Sequence, residues 1–336
     1  MCEHKILRVP DFLSAHTSGH PFSATFRLSK SMNSVIIAFD IVDIIFFALS
    51  LLISVVLIVV IILHLKKNRR KVTMILICNS YIAIALVDCM MLIMAIYNFI
   101  GHLDSSRNFN DVWCRVRTYF IFIGYCGFYY SFLLQASFRL FRVVFYKQKF
   151  LQSRPFFFLA IALQWILSSI LPMTNLLPGD YEYLLTEFNC WFSFENVRGL
   201  LLALLVVYSI PIVSILLMYV HLLRFIRRAN PVKRRQEGNK RDILVLKRIV
   251  ILLLFTVAVG LPTAIILFIY IISKNVISYA YEIQGFGLSV AMLASAICFA
   301  LISPELKQIF CCCQTQVHPG FQSRNQQTMT MAAIEI

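Results

Sequence analysis

The residues of this chain that could do chemistry are few and widely spaced. Asp88 interrupts an apolar run, Ile84-Ala85-Leu86-Val87-Asp88, where a carboxylate is costly and therefore a functional suspect. Asp40 and Asp43 stand one helical turn apart near the start of another apolar run and read as interfacial or water-facing carboxylates. Arg139 and Arg142 close a third run. There are ten cysteines. Cys78, Cys89, Cys126 and Cys298 fall inside apolar runs and read as small core hydrophobes. Cys114 follows Trp113 at the head of a run, and Cys190 sits in a gap between runs. Cys311, Cys312 and Cys313 are adjacent and follow the amphipathic stretch 304–310. Juxtamembrane cysteines of this kind suit S-palmitoylation. They lack the C-x-x-C spacing of a zinc site and have only His318 nearby. There is no H-E-x-x-H, no G-x-S-x-G, no P-loop and no pair of carboxylates on one face, so enzymatic activity is disfavoured.

The elements that must position these residues are seven long apolar runs, at 41–65, 73–100, 114–144, 156–176, 198–226, 244–273 and 278–302. Each is long enough to cross the hydrocarbon core, which takes roughly 20 apolar residues. Hydrophobic residues make up 60% of the chain and charged residues 14%, far from the balance of a soluble domain. Lys and Arg cluster in alternate gaps: 66–71, 139–154, 224–248 and the tail. By the positive-inside rule those gaps are cytosolic and the N-terminus is external. The net charge of +15 is then mostly a property of the cytoplasmic face, suited to anionic lipid rather than nucleic acid. Residues 1–34 contain no apolar segment of signal-peptide type, so the first span is expected to drive export. No N-x-S/T sequon is present to check the orientation, and no internal repeat suggests an inverted-repeat transporter. Cys114 and Cys190 both fall on the external, oxidising side, where the other cysteine is Cys2 near the terminus. A disulfide between them would pin the gap between spans 4 and 5 across the top of span 3; two free thiols are the alternative. A helix running from Cys114 to Arg139 rises roughly 37 Å, so one helix would join that outer anchor to a guanidinium at the inner surface. Pro211 and Pro262 interrupt the fifth and sixth spans, each removing a backbone hydrogen bond and favouring a kink.

Together these positions resemble the rhodopsin-like (class A) G-protein-coupled receptors over roughly residues 36–313. The matching residues, in order, are Asp88, Trp113-Cys114, Arg139, Trp165, Cys190, Pro211 with Tyr219, Pro262, and Pro304-Glu305-Leu306-Lys307-Gln308-Ile309-Phe310 followed by Cys311, Cys312 and Cys313. The chain departs from the family pattern as a divergent member would. The acidic-Arg-Tyr triplet is Phe138-Arg139-Leu140, the Cys-Trp-x-Pro element is Val259-Gly260-Leu261-Pro262, and the Asn-Pro-x-x-Tyr element reads Ser295-Ala296-Ile297-Cys298-Phe299. No asparagine lies between Asn33 and Asn68 to serve as that of the first span.

The resemblance implies an all-α membrane protein: a seven-transmembrane helix bundle over 36–303, an extracellular, disordered segment at 1–35, and a short amphipathic eighth helix and cytoplasmic tail over 304–336. It implies a plasma-membrane receptor that binds an extracellular ligand and activates a heterotrimeric G protein through outward movement of helix 6 about Pro262. Arg139 and Tyr219 would line the opened gap, and Asp242 would pair with Arg139 at rest or else cap helix 6. Asp88 resembles the family's sodium-site acid, with Ser295 a candidate oxygen partner, although Phe128 stands where span 3 would add a hydroxyl. Span 3 has no acid between Arg115 and Arg139 to anchor a biogenic amine, and span 7 has no lysine for a retinal Schiff base. The loop acids Asp180, Glu182, Glu187 and Glu195 read as solvated charge that could recruit a cationic peptide, and the aromatics of span 3 as packing with a few residues lining a pocket. The competing readings are a channel or transporter, and a chemosensory seven-span receptor with weak G-protein coupling.

Overall fold

The computed structural model describes residues 22–67, 72–104, 106–107, 109–228, 250, 261, 264–274 and 279–302, without the side chains at 22–33, 66–67, 226–228 and 302. Its helices are α1 (Phe22–Lys67), α2 (Val72–Leu103), α3 (Val112–Val143), α4 (Arg154–Leu176), α5 (Val197–Ala203), α6 (Ile210–Arg228), α7 (Ala264–Ser273) and α8 (Ala280–Ile302). A π-helical turn, Leu204–Ser209, joins α5 to α6 as one rod. Among the described residues six helical segments are long and apolar enough to cross a membrane, and α7 is the described part of the sixth predicted span. The bundle is therefore a helical membrane protein. The notional eighth helix at 304–310 lies outside the described residues.

Two strands accompany the helices. β1 (Tyr181–Leu184) and β2 (Asn189–Phe192) form an antiparallel hairpin with Tyr183 opposite Cys190. The first helix starts at Phe22, well before the apolar run at 41. Apolarity marks where lipid begins, whereas backbone hydrogen bonding sets where a helix begins.

Burial shows how the bundle is organised. About 78% of the α3 window is buried, against 22–39% for the other crossing helices, so α3 is the central pillar. α1 illustrates the outer helices. Ile41, Ile45, Leu49, Leu52, Val56 and Val59 face outward, while Asp40, Phe47, Ser50, Ser54, Leu57 and Ile61 face inward at helical spacing. The inward stripe is the more polar one, as expected where lipid takes up the apolar face and packing and hydrogen bonds hold helices together.

Several such bonds cross the core. Asn79 donates to Gln164 Oε1 at 2.8 Å, Gln164 donates to the Gly127 carbonyl at 2.8 Å, and the Trp165 indole donates to Asn79 Oδ1 at 2.8 Å. This ties α2, α3 and α4 at one level. Gly127 makes the fit possible, because a Cβ there would meet the Trp165 ring at 3.3 Å and Ala83 at 3.4 Å. Tyr81 reaches α8 through the Ala296 carbonyl at 3.2 Å.

Candidate functional site

Cys114 and Cys190 are joined in a disulfide, with Cα atoms 5.5 Å apart. Asp111 caps α3 by accepting from the Cys114 amide at 2.7 Å. Thr118, one turn further along, donates to the Cys190 carbonyl at 2.5 Å. The hairpin is thus bound to α3 by a covalent bond and a hydrogen bond. Its aromatic side chains then fold into the bundle. Phe122 lies 5.7 Å from Tyr181 in a stacked pair and 5.0 Å from Phe192 edge to face. Beneath the hairpin is a cavity of about 360 Å³, walled by Phe122 and Tyr125 of α3, Trp191 and Phe192 of β2, Leu204 and Tyr208 of the π-helical turn, Leu261, Ala264 and Leu288. Its size falls within the range of small-molecule sites.

Proline chemistry helps shape that cavity. Pro211 has no amide hydrogen and its ring crowds the carbonyl four residues back, at Val207. The chain widens into the π-helical turn there, as such bulges do. Tyr208, inside the turn, lies on the cavity wall with its ring 4.8 Å from that of Tyr129. Tyr125 is 2% exposed, and its hydroxyl has no hydrogen-bond partner among the described atoms. That is a polar group held inside an apolar wall.

A second, smaller cavity of about 50 Å³ lies against α1, α2, α8 and the hairpin, and Asp40, Asp43, Glu187 and Glu282 line it. Asp40 faces His102 Nδ1 at 2.6 Å, and Asp43 accepts from the Ser289 hydroxyl at 2.7 Å. Asp40 and Glu187 are buried, at 7% and 6% exposed, and Asp180 at 5%. The expectations of water-facing and solvated acids therefore fail at these positions: the hairpin, which carries Glu187 in its turn, folds over the end of the bundle at Asp40, and Asn196 and Gly199 at the start of α5 pack on Asp180. Burial, then the nearby Glu282 charge, push the Glu187 carboxyl up to about 8.

The family model of the 7 transmembrane receptor (rhodopsin family) matches residues 54–306, more than half of the chain. The chain belongs to this family. No curated protein matches it. Rhodopsin-family members are receptors rather than enzymes, and this one is a multi-pass membrane receptor.

Arg139 is placed at the end of the receptor opposite the disulfide, on the last turns of α3, and is 5% exposed. Phe138 beside it packs edge to face on Phe157 of α4 at 5.1 Å, so the position that would hold an acid is occupied by an aromatic contact. Tyr219, on α6, is half-buried against the core. Asp242, Pro262, Cys311, Cys312 and Cys313 lie outside the described residues.

Asp88 is fully buried and accepts from Ser50 of α1 at 2.6 Å. Ser50 is thus a first-span polar partner of Asp88. Ser295, also fully buried, makes no hydrogen bond among the described atoms. Arg117 also belongs to the disulfide end of α3. It is 2% exposed, with its guanidinium 4.4 Å from the Tyr97 ring, bracing α3 against α2 next to the disulfide. A cation one turn inside an apolar run was the signal that could have found it.

Proposed function

We propose that this receptor lies in the plasma membrane with its N-terminus outside, takes an extracellular ligand in the cavity beneath the hairpin, and activates a heterotrimeric G protein at the Arg139 end. The observation that carries this reading is the 360 Å³ cavity at the disulfide end, with α3 running from its wall to Arg139. The proposed orientation is supported by the one-sided distribution of Lys and Arg and by the preference of disulfides for oxidising compartments.

In this mechanism the ligand binds the open state better than the closed one, which is the only way it can shift the equilibrium. The half of helix 6 near Asp242 swings outward about Pro262. A G-protein helix then enters the gap lined by Arg139 and Tyr219 in the helix-in-groove manner. At rest, Asp242 holds Arg139. Cys311, Cys312 and Cys313 carry palmitate that anchors the tail. A sodium ion would find unpaired buried oxygens on Asp88 Oδ1 and the Ser295 hydroxyl.

The deciding measurement is G-protein nucleotide exchange driven by the full chain at matched surface expression. Arg139→Ala should reduce exchange to the level without receptor, and Asp242→Ala should raise basal exchange. Exchange unaffected by Arg139→Ala would count against the receptor mechanism.

A further inference from the structure

The four acids of the smaller cavity have no role in the mechanism above. Asp40 and Asp43 also lie outside the stretch that matches the family. His102 sits beside Asp40, and the Ser289 hydroxyl binds Asp43. Glu187 and Glu282 form no ion pair among the described residues. A carboxylate removed from water needs either a cation or a proton.

Asn189 of β2 supplies an independent observation. It is 4% exposed and lines the same cavity. Its Nδ2 donates to Asn98 Oδ1 at 3.1 Å, while its own Oδ1 has no partner among the described atoms. A bare buried acceptor on a residue that lines a cavity calls for a donor that comes from elsewhere. The cavity is dominated by acceptors, and the His102 ring nitrogens are already engaged with Asp40 and the Thr186 carbonyl. Gly285 keeps α8 close to this chemistry, since a Cβ there would stand 3.0 Å from Asp43 Oδ2.

The space is about 50 Å³, enough for a small charged head and no more. Trp191, Gln284 and Leu288 line both this cavity and the apolar one. No group of acids, histidines and cysteines among the described residues has the arrangement of a metal site.

Building on the receptor reading, we propose that the two cavities form one amphiphilic site for an organic amine, with its ammonium group among Asp40, Asp43, Glu187, Glu282 and Asn189 and its apolar body against Tyr125 and Tyr208. The charge that α3 does not provide comes instead from α1, α8 and the hairpin. The ammonium donates to the carboxylates and the bare amide oxygen, and the apolar body fills the space beside the π-helical turn.

The test places a cysteine on the shared wall. Gln284→Cys in the full-length chain, reconstituted in nanodiscs, is labelled with the uncharged reagent hydroxyethyl methanethiosulfonate, and protection is measured with phenylbutylamine and with phenylbutanol. The amine should protect at a concentration about tenfold lower than the alcohol, the worth of one charge-assisted contact. In the Glu187→Gln/Glu282→Gln background the difference should vanish while protection by the alcohol remains. Equal protection by the two probes in the parent, a difference that persists in the double variant, or protection by neither overturns the proposal. Protection by calcium in place of the amine also overturns it. The receptor reading is tested separately by ligand-independent exchange in wild type and Arg139→Ala, so the two can fail independently.

Discussion

The cavity against α3 and the π-helical turn is about 360 Å³ and walled mostly by rings and aliphatic chains, whereas the one against α1 and α2 is about 50 Å³ and carries four carboxylates. They meet at Trp191, Gln284 and Leu288. The difference follows from what each wall can tolerate. Apolar walls have no unmet bonds, so a large space costs mainly lost packing. Acidic walls repel one another and lose hydration, so each group needs a neighbour that offsets its charge. Asp40 has His102, Asp43 accepts from Ser289, and burial pushes the Glu187 carboxyl up to about 8. One hairpin closes both spaces, so its attachment controls both.

The strongest way to break the comparison is therefore to release the hairpin. Cys190→Ser opens a loop with a sequence separation of 76. Closing a loop of that size is worth about 4 kcal/mol in the chain-entropy account. The expected outcome is a large fall in melting temperature and loss of most surface expression, read by thermal denaturation and surface labelling, with both cavities affected together.

The next effect belongs to the acidic cavity alone. The Glu187 carboxyl ordinarily titrates near 4.5 and is pushed up to about 8 here by burial and then by Glu282. The folded state holds this proton more tightly than the unfolded chain. The resulting stabilisation is present in full below about 4.5 and is lost as the pH rises towards 8. Asp40 of α1, His102 of α2 and Glu282 of α8 share this field. Melting temperature should fall between pH 5 and 8, roughly that titration window. Glu187→Gln should flatten the slope. An unchanged slope in that variant would remove Glu187 as its source.

The smallest effect belongs to the apolar cavity. Tyr125→Phe removes a hydroxyl that has no partner among the described atoms. Relief of an unsatisfied buried group should leave stability unchanged or raise it by about 1 kcal/mol, seen as a slightly higher melting temperature.

Much of the transmembrane scaffold was legible because the bilayer imposes strict rules. A run such as 41–65 must be a helix, since no other single segment satisfies its own backbone in lipid. A Cys114–Cys190 pairing was suggested by the placement of both cysteines at the external ends of their segments, and the structure joins them. The hairpin was not legible. Tyr181-Glu182-Tyr183-Leu184 and Asn189-Cys190-Trp191-Phe192 are too short to stand out by periodicity, and they hold together through the disulfide and the Phe122 cluster. Asp40 and Glu187 were read as wet because their neighbours in the chain are interfacial or polar. Their burial comes from elements distant in sequence. Ser50 could not be singled out as the partner of Asp88 because hydroxyls in membrane helices are common, and only helix rotation decides which one faces inward.

The sequence by itself determined the membrane-spanning character and the family, because hydropathy, charge placement and residue order act along one chain and survive without coordinates. The tertiary structure alone decided which acids are brought together, that Asn189 lines the same cavity, and that an apolar cavity shares their wall. Those facts depend on the rotation of α1, α2, α3 and α8 and on the path of one hairpin, and side-chain packing sets both only after the chain has folded.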